Sequence, residues 1–74
     1  MTAEKIIEAL KGYCNDELRW YNSFGKTHGA SIRQMTDRCY GAVMYASCIL
    51  EPEDADKIGK WWDDEMRPKL YNLF

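Results

Sequence analysis

Two apolar stripes in the first 50 residues constrain this chain more than any motif in it. Ala3, Ile7, Leu10, Cys14, Leu18 and Tyr21 recur at spacings of three and four, as one face of a helix requires. Ile6, Tyr13 and Phe24 widen that face. Ile32, Met35, Cys39, Val43, Ala46 and Leu50 form a second stripe of the same kind. When the chain is folded back near Lys26 or Thr27, residue i on one stripe lies level with about 53 − i or 54 − i on the other. Ala3 then meets Leu50, Ile7 meets Ala46, Leu10 meets Val43, Cys14 meets Cys39, Leu18 meets Met35 and Tyr21 meets Ile32. Two patterns that coincide in antiparallel register predict a helical hairpin, with helices over 2-24 and 31-50.

Local signals agree with those limits. Thr2 is placed to cap the first helix, and Ser31 with Gln34 three residues on reads as a capping box for the second. Pro52 at a first helical position, followed by Glu53 and Asp54, opens a third helix over 52-67. Its inner row is Ala55, Ile58, Trp62 and Met66, extended by Leu70 and Leu73. Back-folding around Glu51 sets Met44 level with Ile58 and Tyr40 level with Trp62. A further apolar row on the second helix, Tyr40, Met44, Tyr45 and Cys48, predicts that its C-terminal half is buried on more than one side. Pro68 is expected to kink or end the third helix near Arg67, leaving 68-74 as an apolar tail with Tyr71, Leu73 and Phe74. The fold expected is therefore all-α, a three-helix bundle in one domain spanning residues 1-74. A 74-residue chain has little interior, yet it holds ten aromatic residues. That imbalance leads us to expect completion of the core by a second copy.

Charge is unevenly placed. Residues 51-65 carry seven acids against Lys57 and Lys60, while the net charge of the whole is only −2. The acidic segment predicts ion pairs of Glu53 with Lys57, Asp56 with Lys60 and Asp63 with Arg67, all four residues apart with the acid first. Glu51, Asp54, Asp64 and Glu65 are left over, and their charge suits steering toward a protein partner with a basic surface. The segment lacks the alternating Asp spacing and Gly of a calcium loop. An acidic whole also argues against general nucleic-acid binding, which draws its affinity from Lys and Arg. DNA recognition through Arg33, Gln34 and Arg38 is a weaker alternative, because Asp37 interrupts that face.

Gly25-Lys26-Thr27 resembles the end of a phosphate-binding loop, but the earlier glycine of that pattern is replaced by Trp20 and no strand precedes it. What survives is an alternative anion site at the second helix's start, built from Lys26, Thr27, His28, Ser31 and Arg33. His28 is the only histidine and has no metal partner at zinc spacing. Three cysteines without a Cys-x-x-Cys spacing do not make a disulfide framework, and Cys14 opposite Cys39 reads as a pair of small buried thiols. No acid, base and nucleophile are assembled, so no enzyme, cofactor or metal is expected. Glu4, Lys5 and Glu8 break the N-terminal apolar segment, and the longest uncharged run, Cys39 to Leu50, is 12 residues. The expectation is a cytoplasmic protein with no membrane segment.

Adjacent Trp61 and Trp62 point about 100° apart on a helix, so only one faces the core. Trp62 belongs to the inner row. Trp61, with Trp20 and Tyr71, is the candidate for a protein interface, beside the acids Asp63, Asp64 and Glu65. The function expected is a small interaction module, a regulator or inhibitor that engages a larger protein, such as a nucleic-acid-processing enzyme, through its acidic third helix.

Overall fold

The computed structural model describes residues 2-73. It is all-helical, with three helical segments packed together and no strand among the described residues. Helix α1 runs Ala3–Ser23 and α2 runs Ile32–Ile49. The Thr2 hydroxyl accepts a hydrogen bond from the Lys5 N–H, and Ser31 accepts one from Gln34 N–H, so each hairpin helix starts on the expected cap. Between them lies a 3-10 turn, Gly25–His28, closed by Gly29 at φ 79°, a left-handed value that glycine adopts without strain.

The hairpin register is as the stripes require. Cys14 Sγ sits 3.9 Å from the carbonyl of Cys39, and both side chains are fully buried. The core consists of Ile7, Leu10 and Cys14 from α1, Met35, Cys39, Val43 and Ala46 from α2, and Ile58, Trp62, Met66 and Leu70 from the third segment. Leu18, Tyr21, Ile32 and Leu50 pack partly buried around it. No polar side chain is buried among the described residues, so the hydrophobic effect closes this core with no desolvated polar group to offset.

The third segment departs from expectation. Helix α3, Pro52–Trp61, passes into a π turn over Trp62–Met66 and continues as α4, Arg67–Tyr71. Pro68 therefore does not end the helix near Arg67. The Arg67 N–H reaches back five residues to the Trp62 carbonyl, and Arg67 itself stays helical at φ −56°, ψ −46°. The widened turn comes just before the proline, where a ring would otherwise crowd the carbonyl four residues back.

Spacing explains why a π turn belongs there. Ile58, Trp62, Met66 and Leu70 recur strictly every four residues, and all four are buried. On an ideal α-helix such a row drifts ~40° per step, or ~120° from Ile58 to Leu70, and would leave the core. One residue taken up in a π turn returns ~100° and leaves a drift of ~20°. The predicted tail is thus core as far as Leu70, and Leu73 packs against it; Phe74 lies outside the described residues.

The bundle is elongated, 39 × 21 × 15 Å. Its accessible surface of 5101 Å² exceeds the ~4,700 Å² that scaling gives a compact monomer of this mass. The excess lies partly on α2, whose second apolar row is not covered as expected. Tyr40, Met44, Tyr45 and Cys48 are exposed, Tyr45 by 70%.

Candidate interaction site

Packing α3 and α4 against α2 creates a cleft along one side of α2. It has a volume of about 290 Å³ and is lined by Thr36, Asp37 and Tyr40 of α2 with Trp62, Arg67, Leu70 and Tyr71. Its floor is apolar because Trp62 and Leu70 face inward on the core row. Tyr40 and Trp62 lie level, as the back-folding predicts, with ring centroids 5.6 Å apart and planes tilted by 53°. That geometry favours the edge of one ring against the face of the other. Tyr71 stands at the rim, 66% exposed. Helix α4 carries it there only because the chain stays helical past Pro68.

The rim is charged. Arg67 Nη2 lies 2.9 Å from Asp63 Oδ1, the one predicted ion pair of the three that forms. Lys57 pairs at 3.5 Å with Asp54, a residue expected to be left over, rather than with Glu53. Neither Glu53 nor Asp56 has an ion-pair partner among the described residues. Asp64 and Glu65 are exposed on the π turn, so the widened turn displays acids while Trp62 and Met66 face inward.

The structure separates the other proposed anchors. Trp61 is half-buried against the core, and Lys11 Nζ of α1 stands 5.9 Å from its ring, so this indole bridges α3 to α1 on another side of the bundle. Trp20 lies at the hairpin tip, 5.9 Å from Phe24 between ring centroids, with its indole over Gly25. Of the predicted partner-binding residues, Tyr71 lines the cleft, Asp63 is joined to it through its ion pair with Arg67, and Asp64 and Glu65 adjoin Asp63 in sequence. Tyr40 was read as buried and Arg67 only as a pairing partner. The signal for both was the four-residue row continuing to Leu70, which carries the helix through Arg67 and closes it over Tyr40.

The residues of the proposed anion site are mostly occupied with each other. Thr27 Oγ1 donates to the Phe24 carbonyl at 2.9 Å, and His28 Nδ1 donates to the same oxygen at 2.9 Å. The His28 ring stacks on Phe24 with centroids 3.8 Å apart. The Ser31 hydroxyl accepts from Gln34 N–H. Lys26 and Arg33 are exposed and belong to no such network. Arg38, proposed for DNA, donates through Nη2 to Glu17 Oε2 at 2.8 Å and through Nε at 3.3 Å, which ties α2 to α1. That hydrogen bond holds the Arg38 pKa above its ordinary value.

Cys14, Cys39 and Cys48 are free thiols. The hydrogen bond to Cys39, and then burial, pushes the Cys14 thiol far above its ordinary range, so it stays protonated and inert. No group of three His, Cys, Asp or Glu side chains is placed to hold a metal ion among the described residues. Nor is any described helix long and apolar enough to cross a membrane. Comparison with protein-family models, with curated proteins and with solved structures finds no match to this chain.

Proposed function

We propose that this chain is a non-enzymatic interaction module, a small regulator or inhibitor that engages a larger protein through its third helical segment. The observation that carries this reading is the cleft between α2 and α4. Tyr40, Trp62, Leu70 and Tyr71 offer an aromatic and aliphatic pocket of a size to accept one or two side chains. Asp37 lines the cleft, Asp63, Asp64 and Glu65 are exposed beside Arg67 in the chain, and these acids would favour a basic rim on the partner. Tyrosine and tryptophan at a partly desolvated pocket are the residues on which binding energy concentrates. Trp61 plays a structural part in this reading, as a bridge to Lys11. The reading also has a second copy covering apolar surface that the single chain leaves open.

Affinity capture from the native host, followed by mass measurement of the intact complex, tests it. One stoichiometric protein is expected. Tyr71→Ala should weaken the complex by about tenfold or more. Charge reversal at Asp63, Asp64 and Glu65 should chiefly slow association and remove its salt dependence. Equal capture by the wild type and all of these variants would overturn the assignment of the surface.

A further inference from the structure

The cleft lies between α4 and α2; a second groove lies between α4 and α1. Asn15, Leu18, Arg19 and Asn22 are spaced three, four and seven apart, which sets them on one face of α1, and Ser23 widens that face. The third segment brings Lys69 of α4 up to it. Together these six residues enclose about 490 Å³, within the size range of small-ligand sites. Leu18, partly buried against the core, is the only apolar member of the lining.

The polar groups of this lining are all able to donate hydrogen bonds: a guanidinium, an ammonium, two amides and a hydroxyl, with no carboxylate among them. Asn15, Asn22, Ser23 and Lys69 have no side-chain hydrogen bond or ion pair among the described residues. Glu65, four residues before Lys69, does not pair with it. Arg19 does have a partner, since its Nη1 lies 3.4 Å from Asp16 Oδ1. Both side chains of that pair are exposed and only one guanidinium nitrogen is engaged, so the contact contributes little and is readily exchanged. The surroundings are basic as well: no acidic residue occurs between Glu17 and Asp37 or after Glu65.

We propose that this groove binds a phosphoryl group, free or carried by a small molecule, with Arg19 and Lys69 as its charge partners and Asn15, Asn22 and Ser23 as neutral donors. A phosphoryl group suits the set better than a carboxylate does. It carries up to two negative charges for two cations, and its three oxygens can accept from donors that arrive from two helices, whereas a carboxylate offers two oxygens in one plane. The proposal goes beyond the protein-partner reading and uses a different surface. It also differs from the anion site expected at the hairpin turn, because neither Lys26 nor Arg33 lines this groove.

Nitrogen-15-labelled protein titrated with sodium phosphate, pyrophosphate and glycerol phosphate, at an ionic strength held constant with sodium chloride, provides the test. Saturable shifts are expected at the side-chain amides of Asn15 and Asn22 and at the backbone amides of Ser23 and Lys69. Arg19→Gln and Lys69→Gln should each weaken binding about fivefold or more, and the variant carrying both should abolish it. Asp16→Asn should tighten binding about twofold, because it releases the guanidinium. Lys26→Gln with Arg33→Gln should leave it unchanged. Preference for glycerol phosphate would support an esterified ligand, and preference for phosphate or pyrophosphate a free one. Shifts that rise linearly, that chloride alone reproduces, or that survive loss of both Arg19 and Lys69 would overturn the proposal. So would lowered stability of Arg19→Gln and Lys69→Gln without any saturable shift in the wild type, since the cations would then serve only the carbonyl end of α1. None of these results depends on Tyr71 or the acidic turn, so the proposal can fail while the cleft reading stands.

Discussion

Removing Asp64 isolates the contribution of the π turn. Deletion shortens the Trp62–Met66 turn by one residue and lets the segment continue as an ordinary α-helix. Everything beyond it then rotates by ~100° about the helix axis relative to Ile58 and Trp62. Met66 and Leu70, exposed by 0% and 2%, would swing from the core toward solvent. Each loses ~1.5 to 3 kcal/mol of burial, so the deletion costs about 3 to 6 kcal/mol. Pro68 would also bring its ring against a carbonyl in an unwidened turn, which adds to that cost. A core of this size rarely supplies more than ~3 to 5 kcal/mol in total, so the variant should be largely unfolded or should lose α4 from the bundle. Asp64→Ala is the control, since the residue is exposed and has no ion-pair partner among the described residues; it should change stability by no more than ~0.5 kcal/mol. Urea unfolding followed by far-ultraviolet circular dichroism compares the two. A deletion variant within ~1 kcal/mol of wild type would show that the four-residue row does not need the widened turn.

Two further outcomes follow from the buried thiol and the hairpin tip. Because the Cys14 pKa is raised in the folded chain, the native state keeps a proton that the unfolded state releases above the ordinary value of 9.0. Stability from this group is complete below pH 9.0 and falls above it by at most ~1.4 kcal/mol per pH unit, a slope that should be shallower in Cys14→Ala when unfolding is measured from pH 8 to 10.5. At the tip, a Cβ on Gly25 would stand 2.7 Å from Trp20 Cζ3 and 3.1 Å from Ala30 Cβ. Gly25→Ala should therefore push the indole outward, increase tryptophan quenching by acrylamide and cost ~1 to 3 kcal/mol; unchanged quenching would refute that packing.

The hairpin was readable because its signals are short-range and redundant. The caps at Thr2 and Ser31, the two stripes and their common register all depend on α-helical periodicity, and they point the same way. The third segment shows where that reasoning stops. Ile58, Trp62, Met66 and Leu70 were visible as a row, but a spacing of four fits an α-helix only over two or three steps. The row and Pro68 together signal a π turn, whereas Pro68 alone reads as an end. Surface details were less legible for a different reason. Lys57 chooses between Glu53 and Asp54 by rotamer, at an energy of a few tenths of a kcal/mol, which no pattern of letters resolves. The neighbour of Trp61 was out of reach for a third reason, since Lys11 is 50 residues away and meets it only after the bundle closes. The apolar row of Met44 and Tyr45 was legible as apolar, but sequence pattern does not distinguish a face covered by its own chain from one left open.

The order of contacts along the chain gives the bundle an order of assembly. The turn from Phe24 to Ala30 closes locally, Arg38 meets Glu17 across 21 residues, and Cys39 meets Cys14 across 25. Trp61 reaches Lys11 only across 50, a loop that costs about 0.8 kcal/mol more to close than the 21-residue one. Tyr40 meets Trp62 across only 22 residues, so either neighbouring pair of segments closes over a short loop and the contact of the third segment with α1 is the last to close. Both Tyr71 and the acidic turn ride on the far half of the third segment, and one wall of the cleft exists only while that half is docked. A partner seated between Tyr40 and Tyr71 would consequently act as a clamp that holds α4 against α2. Its departure would expose that helix to proteolysis and so shorten the lifetime of the free chain.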